Sequence, residues 1–398
     1  MNKEIKKIFL VLGLYAFAGG IFYNFQELWM LNNNLSVKTI GIVSSLCALI
    51  TVSVIFLCSN LINQNKLKKF TIILLIIKST TLLSLFILNH TGLNILIKFL
   101  IMIDFAIDTE IYACIYPMIT FIDKNDKVYA ARGLVYDFLY YIGILITSIF
   151  IGKFLFSIEF NYNLLIFIAS ISIIIALFIL ISVDLNKYIK SNNSNNNGIL
   201  FELLNNIKKD KITHNYLSYV FMGQISFYTI NGLLMLLLTN NLGLSPSFAS
   251  NLKLIIGVLS VLLGALILSK LTLKNDYINI SIKFVTRLIT YLLVIIFNSQ
   301  LFLLIAIICV RITSNSYSHI TDAPYVNRFD DKYQLAFCNL KTMIEYFSRA
   351  IGTYICGITI LINNRLVFAI SSIFIVLQII FAFKALHLRK LEVMESKI

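Results

Sequence analysis

Residues 190–198 read KSNNSNNNG, a run without an apolar side chain close to the midpoint of a 398-residue chain. Such a stretch has nothing to bury and reads as a flexible linker. Directly after it, ILFELLNNIKKDK (199–211) places Ile199, Leu200, Leu203, Leu204 and Ile207 on one helical stripe with lysines opposite. That is the pattern of a helix lying on a membrane surface, and it is expected to anchor the linker.

A linker at this position invites a comparison of what lies on either side of it. FAGGIFYNFQELWMLNNNLS, from Phe17, aligns with FMGQISFYTINGLLMLLLTNNLGLS, from Phe221, with a small insertion in the second copy. IYPMITFIDKNDKVYAA, from Ile115, aligns with DAPYVNRFDDKYQLAF, from Asp322, so that Pro117 meets Pro324 and Asp123 meets Asp330. The offset stays at about 204 to 208 residues, and the chain therefore reads as two copies of one unit.

Composition says what kind of unit. The chain is 59% hydrophobic and 13% charged, with a mean hydropathy of +0.86, whereas soluble domains are about 45–50% apolar and about 25% charged. Apolar runs recur over 8–31, 38–62, 70–89, 94–121, 129–157 and 161–185, then over 216–239, 247–271, 277–297, 299–323, 334–361 and 364–386. Each is long enough to cross a hydrocarbon core of roughly 30 Å as a helix. The predicted fold is an all-α polytopic membrane protein of twelve transmembrane helices in two pseudo-symmetric six-helix bundles. They cover 1–187 and 214–398, joined by a linker with its amphipathic helix over 188–213.

The topogenic basic residues set the orientation. Lys3, Lys6, Lys7, Lys66, Lys68, Lys69, Lys124, Lys127 and Arg132 fall on one side, as do Lys187, Lys190, Lys208, Lys209, Lys211, Lys270, Lys274, Arg328, Lys332, Arg389 and Lys390. The intervening loops, such as NHTGLN (89–94), carry almost none. Both termini are expected in the cytoplasm and the chain in a bacterial cytoplasmic membrane. The net charge of +14 follows from this asymmetry and from attraction to anionic lipid, so no nucleic-acid partner is expected. The six cysteines and four histidines are scattered singly, without metal-ligand spacing. No phosphate-binding loop, zinc-protease or nucleophile-elbow motif is present. No cofactor, no metal and no enzymatic activity are expected.

Two six-helix halves with a cytoplasmic linker and both termini inside resemble the major facilitator superfamily of secondary transporters, over essentially the whole chain. The family's loop between its second and third helices commonly reads G-x-L-x-D-R-x-G-R-R-K. Here SNLINQNKLKK (59–69) agrees at Leu61, Lys68 and Lys69 and differs at Ser59, Asn63, Gln64, Lys66 and Leu67. The fifth span, GLVYDFLYYIGILITSIFIGKFL, lacks the proline of the family's antiporter signature. The resemblance implies that the first and fourth helices of each half line a central cavity, flanked by the second and fifth. The third and sixth are peripheral.

On that layout Glu27, Asp104, Asp108, Glu110 and Asp137 fall on cavity-type helices of the first half, with Arg132 near the cytoplasmic mouth. Arg311, Lys341, Glu345 and Arg349 fall on the matching helices of the second half, with Asn231, Asn315 and His319 as further polar groups. A charge at mid-bilayer costs roughly 2.5 to 3.5 kcal/mol on insertion scales, so such groups face protein or water and pair, or carry a proton. Asp104 and Asp108 lie about 40° apart on one helical face, and Glu110 about 120° away from Asp104. Two carboxylates that close cannot both ionise cheaply, and a shared proton is expected.

The repeat carries Asp104 onto Arg311 and Asp108 onto Asn315, which predicts an Asp104–Arg311 pairing across the cavity. The expected substrate- and proton-binding set is Glu27, Asp104, Asp108, Asp137, Asn231, Arg311, Asn315 and His319. Glu110, Arg132, Lys341, Glu345 and Arg349 are expected to pair helices, Glu345 with Arg349 at i,i+4. Lys78, Lys283 and Arg287 are placed on peripheral helices and kept out of the site, the last two snorkelling to the cytoplasmic interface. The implied function is proton-coupled secondary transport of a small organic solute by a monomer in the lipid bilayer. The alternative is a non-transporting solute sensor or assembly factor on the same fold.

Overall fold

The computed structural model describes residues 2–61, 67–88, 94–122, 126–151, 162–185, 199–266, 276–297, 299–326, 328–329 and 331–395. Among these, every regular element is helical: α1 (Lys3–Asn32), α2 (Val37–Leu61), α3 (Leu67–Leu88), α4 (Asn94–Ile122), α5 (Asp126–Ile151), α6 (Tyr162–Ile181) and the short α7 (Ile199–Ile207). There follow α8 (Lys211–Asn231), α9 (Leu234–Leu236), a π-helical turn (Leu237–Asn241), α10 (Pro246–Leu266), α11 (Asp276–Phe297), α12 (Gln300–Val326), α13 (Asp331–Thr359) and α14 (Asn364–Glu395). Six described helices are long and apolar enough to cross a bilayer, and a seventh if α8 and the bent segment after it form one span. The chain is an integral, multi-pass membrane protein.

Two compact units result. Unit 1 comprises Met1–Ser36, Ser53–Asn197 and Gly243–Leu254; unit 2 comprises Val37–Val52, Gly198–Leu242 and Ile255–Ile398. In unit 1, α1 packs on α5 and α6, while α3 packs on α4 and α6. In unit 2, α8 packs on α13 and α14, while α11 packs on α12 and α14. These four pairs correspond one to one between the units.

The central helix of unit 1 shows why its sequence suits that place. α1 buries Leu12, Ala16, Ile21, Phe22, Phe25 and Leu28 on several sides, as a helix that is apolar all round must. Its seam with α5 depends on glycine: a Cβ on Gly20 would overlap the Tyr140 carbonyl, and one on Gly143 would lie 2.9 Å from Ile21 N. In unit 2 the α8–α13 seam has the same character, since a Cβ on Gly352 would lie 2.7 Å from the Ile225 carbonyl oxygen.

The insertion in the second copy has a visible outcome. α1 runs unbroken to Asn32, but α8 stops at Asn231, bends by 40° and ends in the π-helical turn. The break at Gly232–Leu233 and the π-turn, a local widening of the helix, together accommodate the longer second copy. Both copies then turn in the left-handed region, at Asn34 (φ 61°) and Gly243 (φ 66°), the two residue types that take it most readily.

Polar clamps close one end of each unit. In unit 1, Lys7 donates to the Ser182 carbonyl at 2.7 Å and Lys68 to those of Ile181 and Val183 at 2.9 and 2.5 Å. Lys68 thereby caps the last carbonyls of α6, and Asp184 N donates to Glu4 Oε2 at 2.9 Å. In unit 2, Asp210 caps α8 by accepting from Ile212 N and Thr213 N at 3.0 and 3.3 Å. It also receives Arg328 Nη1 at 2.9 Å, while Arg328 Nη2 and Nε hold the two Glu392 oxygens at 2.7 and 3.2 Å. The short α7 buries Leu200, Leu203 and Ile207 and packs on α13, where Tyr333 donates to Glu202.

Candidate functional site

In unit 1 the buried charges converge on one lysine. Lys78, on α3, is 1% exposed. Its Nζ lies 3.1 Å from Asp104 Oδ1, 3.2 Å from Asp104 Oδ2 and 2.9 Å from Asp108 Oδ1. Both acids project from the same face of α4, as residues four apart must. Asp104 is fully buried and the Asp108 side chain is 22% exposed.

Tyrosines from α1 complete the cluster. Tyr23 OH donates to Asp104 Oδ2 at 3.0 Å and accepts from Lys78 Nζ at 3.2 Å. Tyr15 OH donates to the Asp108 carbonyl at 2.6 Å. The ammonium lies 5.3 Å from the Tyr23 ring centre and 6.0 Å from that of Tyr15, within reach of a cation–π attraction. The tyrosines are themselves held: Tyr23 packs edge-on against Phe105, and Tyr15 meets Tyr136, which stacks on Tyr140. One ammonium thus faces two carboxyl groups.

A polar relay lies along α1 beyond the cluster. Buried Asn24 donates to Ser250 Oγ at 2.6 Å, and Ser250 Oγ is 2.7 Å from Ser148 Oγ. Lys253, also within unit 1, donates to the Tyr23 carbonyl at 3.4 Å. Glu27 is half-buried on α1, one turn beyond Tyr23. Asp137 is half-buried on α5, and Glu110 is buried on α4 outside the lysine cluster.

Among the described contacts, the two buried cations of α11 in unit 2 rest on neutral partners. Arg287 is 2% exposed; its Nε donates to Thr313 Oγ1 at 2.7 Å and its Nη2 to the Val310 carbonyl at 3.4 Å. Lys283 is buried and donates to Tyr219 OH at 3.1 Å. The expectation that these two snorkel to the interface is wrong. The lipid-facing side of α11 is Ile278, Ile282, Val285, Ile289, Leu292 and Ile296, all exposed, and the cations occupy the opposite, interior side.

Arg311 is half-buried, and its Nε donates to Asn231 Oδ1 at 2.9 Å. Lys341 pairs with Glu345 at 3.4 Å; the Arg349 guanidinium lies 4.9 Å from the Tyr228 ring centre. Arg132, Asn315 and His319 fall on α5 and α12, but their side chains lie outside the described residues, as does the Asn63 position of the loop motif.

The structure thus joins Asp104 to Asp108, as the spacing predicts, but through Lys78, which sequence reasoning sets aside. Asp104 and Arg311, which the repeat pairs, each have a partner within their own unit. The signal for Lys78 is present in the repeat, because the third long helix of each unit carries a basic residue deep in an apolar run.

No known family profile and no curated protein matches the sequence. Solved structures do. The nucleoside transporter NupG superposes with a TM-score of 0.71 at 13% identity, covering 98% of this chain and 100% of that one. A point mutant of the peptide transporter POT, in complex with alafosfalin, gives 0.70 at 10% identity, covering 97% and 95%. The human organic anion transporter MFSD10 gives 0.63 at 11% identity, covering 96% and 100%. At these identities the likeness is one of fold: the chain is built on the fold of the major facilitator transporters.

Proposed function

We propose that the chain is a secondary active transporter of a small organic solute, working by alternating access and driven by protons. The carrying observation is the buried cluster of Lys78, Asp104, Asp108 and Tyr23, inside a fold whose similar solved structures are named as transporters of nucleosides, peptides and organic anions. Twelve spans in two six-helix bundles, 1–187 and 214–398, with linker 188–213 and both termini in the cytoplasm, complete this reading.

The proton site is the pair Asp104 and Asp108. With both ionised, the cluster carries one net negative charge in a low-dielectric place, which is costly; with one protonated it is neutral and Lys78 keeps a partner. The groups facing it are Lys78 from α3 and Tyr15 and Tyr23 from α1, so a proton taken up changes the charge that α3, α4 and α1 share. Binding a proton then biases how these helices pack, which is the differential interaction a coupled transporter needs. Glu27 and Asp137 are the further acids of this unit, and Asn231, Arg311, Asn315 and His319 the polar groups expected toward solute in the other.

The test is uptake and counterflow in proteoliposomes, with and without an imposed pH gradient, using solutes first found to raise the unfolding temperature of the purified protein. Flux that follows the gradient in the wild type, and exchange that no longer responds to it in Asp104→Asn, is the expected result. A solute that stabilises the protein but is never moved would make it a sensor.

A further inference from the structure

Phe227 and Tyr228 are consecutive on α8 and stand edge to face, their centroids 5.1 Å apart at 88°. Each carries a guanidinium. Arg311, from α12, lies 5.3 Å from the Phe227 ring centre. Arg349, from α13, lies 4.9 Å from that of Tyr228 and 5.7 Å from that of Tyr346. Three helices of unit 2 therefore bring two cations onto one aromatic pair.

The Arg311 group is poised rather than spent. Its Nε is used on Asn231 Oδ1, and Asn231 is itself tied to the Phe227 carbonyl at 3.2 Å. That bond fixes the plane of the guanidinium. Among the described residues nothing accepts from its two terminal nitrogens, and no carboxylate lies within ion-pair distance of it. Arg311 sits about 17 Å along α12 from Gln300, deep in a helix of 27 residues. It is nonetheless only half-buried. A planar, oriented guanidinium with its terminal N–H groups unused is suited to grip a carboxylate or phosphate with two hydrogen bonds.

We propose that Arg311, set on Phe227 with Arg349 on the adjoining Tyr228 adding positive charge, binds the carboxylate or phosphate group of an organic anion that has an apolar or aromatic body. The rings hold the cations and offer a face to that body; Asn231 aims Arg311. Calling the anion a transported solute rests on the transporter reading, but the site itself does not.

The test uses the full chain in phosphatidylcholine nanodiscs, with thermal unfolding and titration calorimetry against benzoate, phenyl phosphate and neutral benzamide. Benzoate or phenyl phosphate is expected to bind and raise the unfolding temperature, and benzamide not. Arg311→Gln should weaken binding tenfold or more. Asn231→Asp places a carboxylate where Arg311 already points, so it should keep the fold and weaken the anion by a similar factor. Equal effects of benzoate and benzamide, or wild-type affinity in a folded Asn231→Asp protein, would overturn the proposal. So would a response to phosphatidylglycerol in the nanodisc with none to the soluble anions, which would assign the arginines to lipid. Anion binding without any flux would leave the site standing and remove the transporter reading.

Discussion

Lys78 in unit 1 and Arg287 in unit 2 are both almost wholly buried, each on the helix that packs against the central helix's neighbours. Lys78 sits between two carboxylates. Arg287 touches a threonine hydroxyl and a backbone carbonyl. The four helix pairs correspond one to one between the units, so the difference lies in the chemistry placed on a shared frame. A cation wrapped in acids belongs to a charge system in which every member depends on the others. A cation caged by neutral dipoles can be lost without stranding an opposite charge.

The comparison is tested most sharply by deleting the lysine. Lys78→Met leaves two carboxylates in a buried place, and removal of one member of a buried ion pair typically costs about 3–5 kcal/mol. Chemical unfolding in detergent should show a loss of that order, with most of it restored when Asp104→Asn and Asp108→Asn are added. A Lys78→Met protein as stable as wild type would show that the acids do not depend on the lysine.

Next comes a change on which the units should agree. Gly20→Leu forces a side chain into the Tyr140 carbonyl, and Gly352→Leu forces one into that of Ile225. Overpacking of this kind costs about 1–3 kcal/mol, and more where the obstacle is backbone. Both variants should lower the unfolding temperature. If only one does, the two seams are not equivalent.

Arg287→Met should then show the units parting. Thr313 Oγ1 also donates to the Cys309 carbonyl at 2.7 Å, so losing the guanidinium orphans no charge. We expect stability within about 1 kcal/mol of wild type, in either direction. A loss as large as that of Lys78→Met would mean that a negative group depends on Arg287.

Much of the frame is legible in the sequence, because apolar length and an internal repeat are patterns of the chain itself. The Asp104–Asp108 face follows from helical spacing alone. Lys78 escapes a sequence reading because its depth in α3 is a sequence property, whereas its partners come from α1 and α4 and are set by packing. Lys283 and Arg287 show the same limit: their distance from a helix end suggests snorkelling, but the rotation of α11 turns them inward. The bend after Asn231 falls at Gly232, a residue type that ends helices. That the span then closes in a π-turn is set by local backbone hydrogen bonding.

The smallest effect concerns the clamps at the unit ends, where unit 1 uses lysines on the α6 carbonyls and unit 2 uses acids on Arg328. Burial pushes the Asp210 carboxyl up, but hydrogen bonds from Thr213 and Arg328, with the Arg328 charge, outweigh it and leave the group below its ordinary value. A carboxylate depressed by folding stabilises the folded state above the ordinary aspartate range, and that contribution is lost as pH falls through and below it. The side chain is 25% exposed, so screening keeps the contribution of the pair to roughly 0.2–1 kcal/mol. Asp210→Asn retains a good helix cap but loses the ion pair and the titration. Its stability should therefore fall short of wild type near neutral pH and converge with it as pH falls below the aspartate's ordinary value of about 3.9 and on through its lower folded-state value. High salt should narrow the neutral-pH gap. A gap that persisted at low pH would mean that Asp210 acts through its shape as a cap, and that Arg328 is held by Glu392 alone.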